Sequence, residues 1–224
     1  VSSSLYRVSE ILPLLETLAF TNPNTLEGRL SEQAAKFSAS RPRLLCPEIS
    51  VAFSNPANKV QSTFNNRAGH DPALSPEALA SLDLDHVVIT SVARDDLADG
   101  GAAIFAESIR ELRRLAPGTG IEVLIPDFDG EEAPLRAVME AAPDILDHNL
   151  ETVERLQRPV RKRARYDRSL QVLARAKAAA RELGNPVHTK SSIMVGLGES
   201  HDELLAAFRD LRAVDCDILT IGQY

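Results

Sequence analysis

From Asp85 onward, short apolar runs and amphipathic helical stretches take turns along the chain. This alternation restricts the fold to a parallel α/β sheet more than any other feature does. The first run, His86-Val87-Val88-Ile89-Thr90, is β-branched and reads as a buried strand. Ile104, Phe105, Ile109, Leu112 and Leu115 follow at three- and four-residue spacing, which predicts a helix over 101–115, stopped by Pro117-Gly118. The pattern then repeats, with strands over 121–125, 144–150, 186–195 and 216–221 and helices over 131–141, 166–183 and 200–212. Ser200 and Glu203 spell a capping box at the start of the last helix, and Gly184 is placed to end the one before it.

Five strands and four helices fit an open sheet or a barrel equally well. No Gly-x-Gly-x-x-Gly follows the first strand, which argues against a dinucleotide fold. Polar residues gather at or near successive strand ends: Thr90-Ser91, Asp127, His148-Asn149, Thr189-Lys190-Ser191 and Gln223. A β/α barrel builds its site in this way, on the C-terminal face. The expected fold class is therefore α/β, a full or partial (β/α) barrel, over residues 81–224. Residues 1–80 are expected to form an irregular N-terminal region, with short helices over 9–20 and 30–37 and a loop over 54–76.

Composition narrows the function classes. With 25 Lys+Arg against 32 Asp+Glu the formal charge is −7, which disfavours broad nucleic-acid binding. There is no apolar run of about 18 residues, so no membrane-spanning helix is expected. Two cysteines, Cys46 and Cys216, exclude a disulfide scaffold and a self-contained four-cysteine metal site, and both are expected to be reduced thiols. The first residue is Val1 rather than Met, so a processed form, a fragment or a trimmed chain is expected.

Four stretches carry candidate chemistry. The loop Ser91-Val92-Ala93-Arg94-Asp95-Asp96-Leu97-Ala98-Asp99-Gly100-Gly101 mixes a hydroxyl, a cation and carboxylates before a helix N-terminus. It can hold a polar ligand through backbone N–H groups and Arg94, or be a solvated turn with an Asp cap and an internal ion pair. Asn149 and Glu151 alternate, so both project to one side of an extended segment, although Asn149 also suits a turn cap. Lys190 stands in a strand that is otherwise mostly apolar. Buried, it could be a Schiff-base nucleophile or bind a carboxylate or phosphate; otherwise it snorkels to water. Arg155, Arg158, Arg161, Lys162, Arg163, Arg165 and Arg168 form a basic cluster, read either as a solvated face or as a surface for an acidic partner protein.

Several of these segments together resemble lipoyl synthase, a radical S-adenosylmethionine (SAM) enzyme. The matching stretches are VVITSVARDDLADGG (87–101), EVLIPDF (122–128), HNLETVER (148–155), TKSSIMVGLGE (189–199) and CDILTIGQY (216–224), with Cys46-Pro47-Glu48-Ile49-Ser50 upstream. The resemblance implies a partial barrel of radical SAM type, incomplete at its first strand and C-terminus. It also implies SAM as cosubstrate and two [4Fe-4S] clusters. One cluster, held by CxxxCxxC, cleaves SAM to a radical; the other, held by CxxxxCxxxxxC and a distant serine, supplies sulfur. The implied activity is insertion of two sulfurs into a protein-bound octanoyl chain. The implied partner is an octanoylated lipoyl domain or a glycine-cleavage carrier protein, in the bacterial cytoplasm or, in a eukaryote, the mitochondrial matrix or plastid stroma. By the same resemblance Ser91, Arg94, Asp95, Asp96, Asn149, Glu151, Lys190 and Ser191 are assigned to the SAM and substrate cavity.

The cysteine motifs depart from this pattern. Residues 62–73, where CxxxCxxC is expected, read STFNNRAGHDPA. Cys46 alone matches the auxiliary motif, with Arg41 and Ala52 at its other positions. The chain as written is therefore expected to hold neither cluster stably and to be inactive by itself. Two alternatives stand beside it: a non-catalytic relative that binds SAM or a lipoyl domain, and an aldolase-like barrel using Lys190. With the barrel incomplete at its first strand and C-terminus, an exposed sheet edge is expected near the first or last strand.

Overall fold

The structure is a computed structural model that describes residues 4–7, 12–13, 15–18 and 84–223. Strands β2 (His86–Thr90), β3 (Gly120–Leu124), β4 (Ile145–Asp147), β5 (His188–Val195) and β6 (Ile218–Gln223) pair in parallel in the order β6-β5-β4-β3-β2. The connecting helices are α1 (Ala102–Leu115), α2 (Glu132–Glu140), α3 (Glu154–Val160), α4 (Tyr166–Leu183) and α5 (His201–Ala213). The sheet is not closed, so the architecture is a partial (β/α) barrel. The sequence anticipates every parallel strand and four of the five helices. Helix α3 was not anticipated: it is seven residues long, holds Pro159 and is rich in arginine, so it carries too few apolar residues to show a period.

A sixth strand was also missed. β1 (Ser4–Arg7) lies antiparallel along the outer edge of β6, with Ser4 opposite Ile221 and Arg7 opposite Ile218. It covers the β6 edge, so the outer strands of the sheet are β1 and β2, neither of which has a strand neighbour on its outer side among the described residues. Most of the remaining expectations for residues 1–80, including the helix over 30–37, the loop over 54–76 and Cys46, lie outside the described residues, as does the boundary at residue 80 itself.

The helices all cover one face of the sheet. Alternation along β5 sends Thr189, Ser191, Ile193 and Val195 to that face, where all four are buried. Ile193, Val195, Leu219 and Ile221 pack with Leu204, Phe208 and Leu211 of α5, together with Leu12 and Leu15. Ile121, Val123 and Leu146 pack with Phe105, Ile109, Val138, Met139, Val172 and Ala176 of α1, α2 and α4. The capping box forms as read: the Ser200 hydroxyl accepts from the Glu203 N–H and the Glu203 carboxylate accepts from the Ser200 N–H. Gly184 ends α4 with a left-handed backbone at φ 68°.

Candidate functional site

The face without helices is polar. The parallel register places Thr90, Leu124, Asp147, Lys190 and Ile218 in one row across it, with Ser192 and Thr220 paired one step nearer the C-terminal ends of β5 and β6. Lys190 is central. Its Nζ donates to Glu122 Oε1 of β3 at 2.5 Å and lies 3.4 Å from Asp147 Oδ2 of β4. His86 Nε2 reaches the other oxygen of Glu122 at 3.3 Å, which extends the network to β2. Lys190 therefore does not snorkel: its side chain is 16% exposed and its ammonium sits between two buried carboxylates.

The charges set one another's ionisation. Burial alone pulls the Lys190 ammonium down, but the hydrogen bond to Glu122 and the charge of Asp147 outweigh it and hold the pKa above the ordinary lysine value. Burial likewise pushes Glu122 up, and the His86 and Lys190 contacts bring it below the usual carboxylate value. Asp147 takes the opposite outcome. Burial dominates, Lys190 offsets only part of it, and the Glu122 charge adds to it, so its pKa is pushed up to about 6. A Schiff-base amine needs its pKa lowered; this lysine is held charged.

Sequence reading did not single out Glu122 or Asp147. For Glu122 the signal is a single carboxylate inside the apolar run 121–125, the same kind of anomaly as Lys190; Asp147 carries no such signal, since 144–150 also holds Asp144, His148 and Asn149.

The predicted site residues divide by face. Asn149 and Glu151 do meet: Asn149 Nδ2 donates to Glu151 Oε1 at 3.2 Å. Glu151 also bridges to Ile193 of β5 and takes a left-handed backbone at φ 69°, a conformation that side chains other than glycine rarely adopt. Ser191 is on the opposite face from Lys190, fully buried, and its hydroxyl accepts from the Leu150 N–H; a place for it in the cavity does not follow from the strand geometry. His148 is also on the helix side. Burial keeps it neutral, Nδ1 donates to the Ile125 carbonyl, and Nε2 is left to accept from the Ser169 hydroxyl.

The loop after β2 is internally satisfied. Arg94 grips Asp96 through two hydrogen bonds of 2.7 Å each, Asp95 pairs with Arg163 at 2.6 Å, and the Ser91 hydroxyl donates to the Val92 carbonyl. Asp99 accepts from the Gly101 and Ala103 N–H groups and so caps α1. Gly100 is required: its φ is 61°, and a Cβ there would stand 2.8 Å from the Phe128 ring. That contact locks the β2 loop against the loop after β3.

Three buried oxygens near the C-terminal ends of the strands lack a hydrogen-bond partner: Asp147 Oδ1, Asn149 Oδ1 and Thr220 Oγ1. An orphaned buried acceptor carries a penalty of about 1–3 kcal/mol, so three together mark a surface shaped for a polar ligand. The amino and ribose hydroxyl groups of SAM, as donors, fit this acceptor set. An iron–sulfur cluster does not. Among the described residues no group of three His, Cys, Asp or Glu is placed to hold a metal. Cys216 is buried on the helix side, where loss of hydration pushes its thiol up to about 12.

Residues 75–211 match the family model of the radical SAM superfamily. The chain belongs to that superfamily, and its open parallel sheet is consistent with a partial barrel of that kind. Within it, the chain is similar to lipoyl synthases. It is 59% identical to the lipoyl synthase of Symbiobacterium thermophilum over 154 residues, 69% of this chain and 47% of that protein. It is 56% identical to the Bacillus cytotoxicus lipoyl synthase over 154 residues, 69% of this chain and 50% of that protein. The chain thus spans about half the length of the curated relatives it matches.

Proposed function

We propose that this chain forms the SAM- and substrate-facing part of a lipoyl synthase, which inserts two sulfurs into an octanoyl chain carried on a protein lysine. The supporting observation is the group of unsatisfied polar atoms toward the strand ends, in a chain 59% identical to a lipoyl synthase over 154 residues. SAM held on this face would supply a 5′-deoxyadenosyl group for hydrogen abstraction from the acyl chain, given an electron that these residues do not themselves provide. Asn149 and Glu151 lie beside each other at the β4 end, where they can bind the polar groups of SAM, and Asp147 and Thr220 add acceptors on the same face. Arg94 and Asp96 stiffen the neighbouring loop. Lys190 holds a fixed positive charge that neutralises Glu122 and orients Asp147.

The cluster chemistry is not assigned to these 224 residues. Two cysteines are fewer than the three or four thiolates a cubane cluster takes. Anaerobic reconstitution with iron and sulfide is expected to leave substoichiometric iron and no broad cubane absorbance. Near-stoichiometric iron would overturn this part.

SAM binding tests the rest. Each hydrogen bond from residues such as Asn149 and Glu151 contributes roughly 0.5–1.5 kcal/mol net. Without a cluster iron to anchor the amino acid moiety, the dissociation constant is expected on the order of 0.1–1 mM. Calorimetry on wild type and Glu151→Ala decides it. Weak binding that the substitution does not change would remove Glu151 from the site. Micromolar binding would favour the second reading, a SAM-binding relative with an intact pocket and no radical chemistry, which the cysteine count also favours.

A further inference from the structure

We infer that the cationic C-terminal end of α3, with the turn that leads into α4, is a docking surface for the acidic face of the protein that presents the acylated lysine. The inference rests on the proposed function and deepens it. Over residues 154–168 the chain places seven Lys or Arg and only two carboxylates, in a protein whose formal charge is −7. From Arg158 to Arg165 there is no carboxylate at all.

The partners sort these cations into two groups. Arg155 is taken up by Glu203 and the Gly198 carbonyl, Arg165 by Asp167, and Arg168 by Asp127 and Asp129. The Arg155 and Arg168 contacts join segments distant in the chain, whereas the Arg165 pair is local. Arg158 and Lys162 are exposed and have no carboxylate partner among the described residues. Unpaired cations held together raise the local potential and repel one another, an arrangement that an incoming anion relieves.

Position links the turn to the site. Arg161 Nη1 donates to the Asn149 carbonyl at 3.5 Å, and Arg163 reaches Asp95 of the β2 loop. The turn therefore borders the strand ends where the unsatisfied oxygens lie. Val160 is 39% exposed among the cations, so the patch has a small apolar centre within a charged rim, as a transient protein interface does. No exposed aromatic ring lies in the turn for a base to stack on, and one valine is too little apolar surface to hold a bilayer. An acidic protein is the partner this chemistry fits.

The test uses the full chain and three probes: an octanoylated lipoyl domain of acidic composition, a short octanoyl-lysine peptide without acidic residues, and phosphatidylserine-containing vesicles. Arg158→Glu/Lys162→Glu is expected to slow association with the domain by about tenfold, with little change in dissociation, because rim charges act mainly on encounter. Wild-type association should fall steeply between roughly 50 and 300 mM salt, and the variant's much less. Peptide binding should be the same for both chains. Arg158→Gln/Lys162→Gln should give an intermediate rate, and equal melting temperatures establish that folding is intact. Equal association of wild type and variant, no binding of the domain, or tighter capture by the vesicles each overturns the inference. If the peptide and SAM still bind in those cases, the proposed function survives; if they fail too, it falls with the inference.

Discussion

The two faces of the sheet were built from the same strands to opposite rules. On β5, Thr189, Ser191, Ile193 and Val195 are buried against helices, and every polar atom among them has a partner. One residue out of step, Lys190, Ser192 and Met194 face the side without helices, where charges are paired in networks and oxygens are left unsatisfied. Folding stability comes from the first face. The second carries groups that a folding criterion alone would have removed, and a single-residue shift in register would exchange the two.

Core truncation should separate the faces most widely. Phe208→Ala, at a fully buried position against β5 and β6, is expected to lower unfolding free energy by about 3–5 kcal/mol. Met194→Ala on the other face should lower it by less than about 1.5 kcal/mol. Urea denaturation measures both, and comparable losses would mean that the helix-free face is packed like the core.

Removing the central cation comes next. Lys190→Met leaves Glu122 and Asp147 buried with no ammonium between them, an expected loss of about 3 kcal/mol at pH 7.5. The loss should shrink at pH 5, where Asp147 becomes protonated. A variant as stable as wild type at both values would mean that the network contributes no net stability.

Asp147 sets a smaller pH effect with a definite sign. Its folded pKa, about 6, lies above its unfolded value, so the native state binds the extra proton. Stability from this group is present below about pH 4 and is lost as pH rises through about 6, at most on the order of 3 kcal/mol. Asp147→Asn should flatten the wild-type decline between pH 4.5 and 7.5 by roughly 1–2 kcal/mol. An unchanged slope in chemical denaturation would assign the decline to other groups.

The smallest effect concerns Glu151. Glycine removes the strain of its left-handed backbone, so Glu151→Gly should gain up to about 1 kcal/mol of stability while weakening SAM binding. A stabilised variant with unchanged binding would make the strain incidental to the site.

Much of this molecule is legible in its sequence. The strand and helix alternation after Asp85 is, because parallel strands need both a buried run and a returning helix, and each leaves its own periodicity. So are the Ser200 capping box, the stop at Gly184 and the meeting of Asn149 with Glu151, all of which are local in sequence. Lys190 was visible as an anomaly, but its meaning was not, since its partners Glu122 and Asp147 lie 68 and 43 positions away on other strands. Helix α3 and strand β1 are too short to declare themselves and exist through what they pack against. Ser191 shows the division most clearly. Its sequence neighbourhood placed it with Lys190, and the pleat of the strand sent it to the other face, where Leu150 holds it. Local spacing determined which elements form. Only the register between distant strands decided which charges meet, because a pairing that spans the sheet leaves no periodicity in the segment that contributes to it.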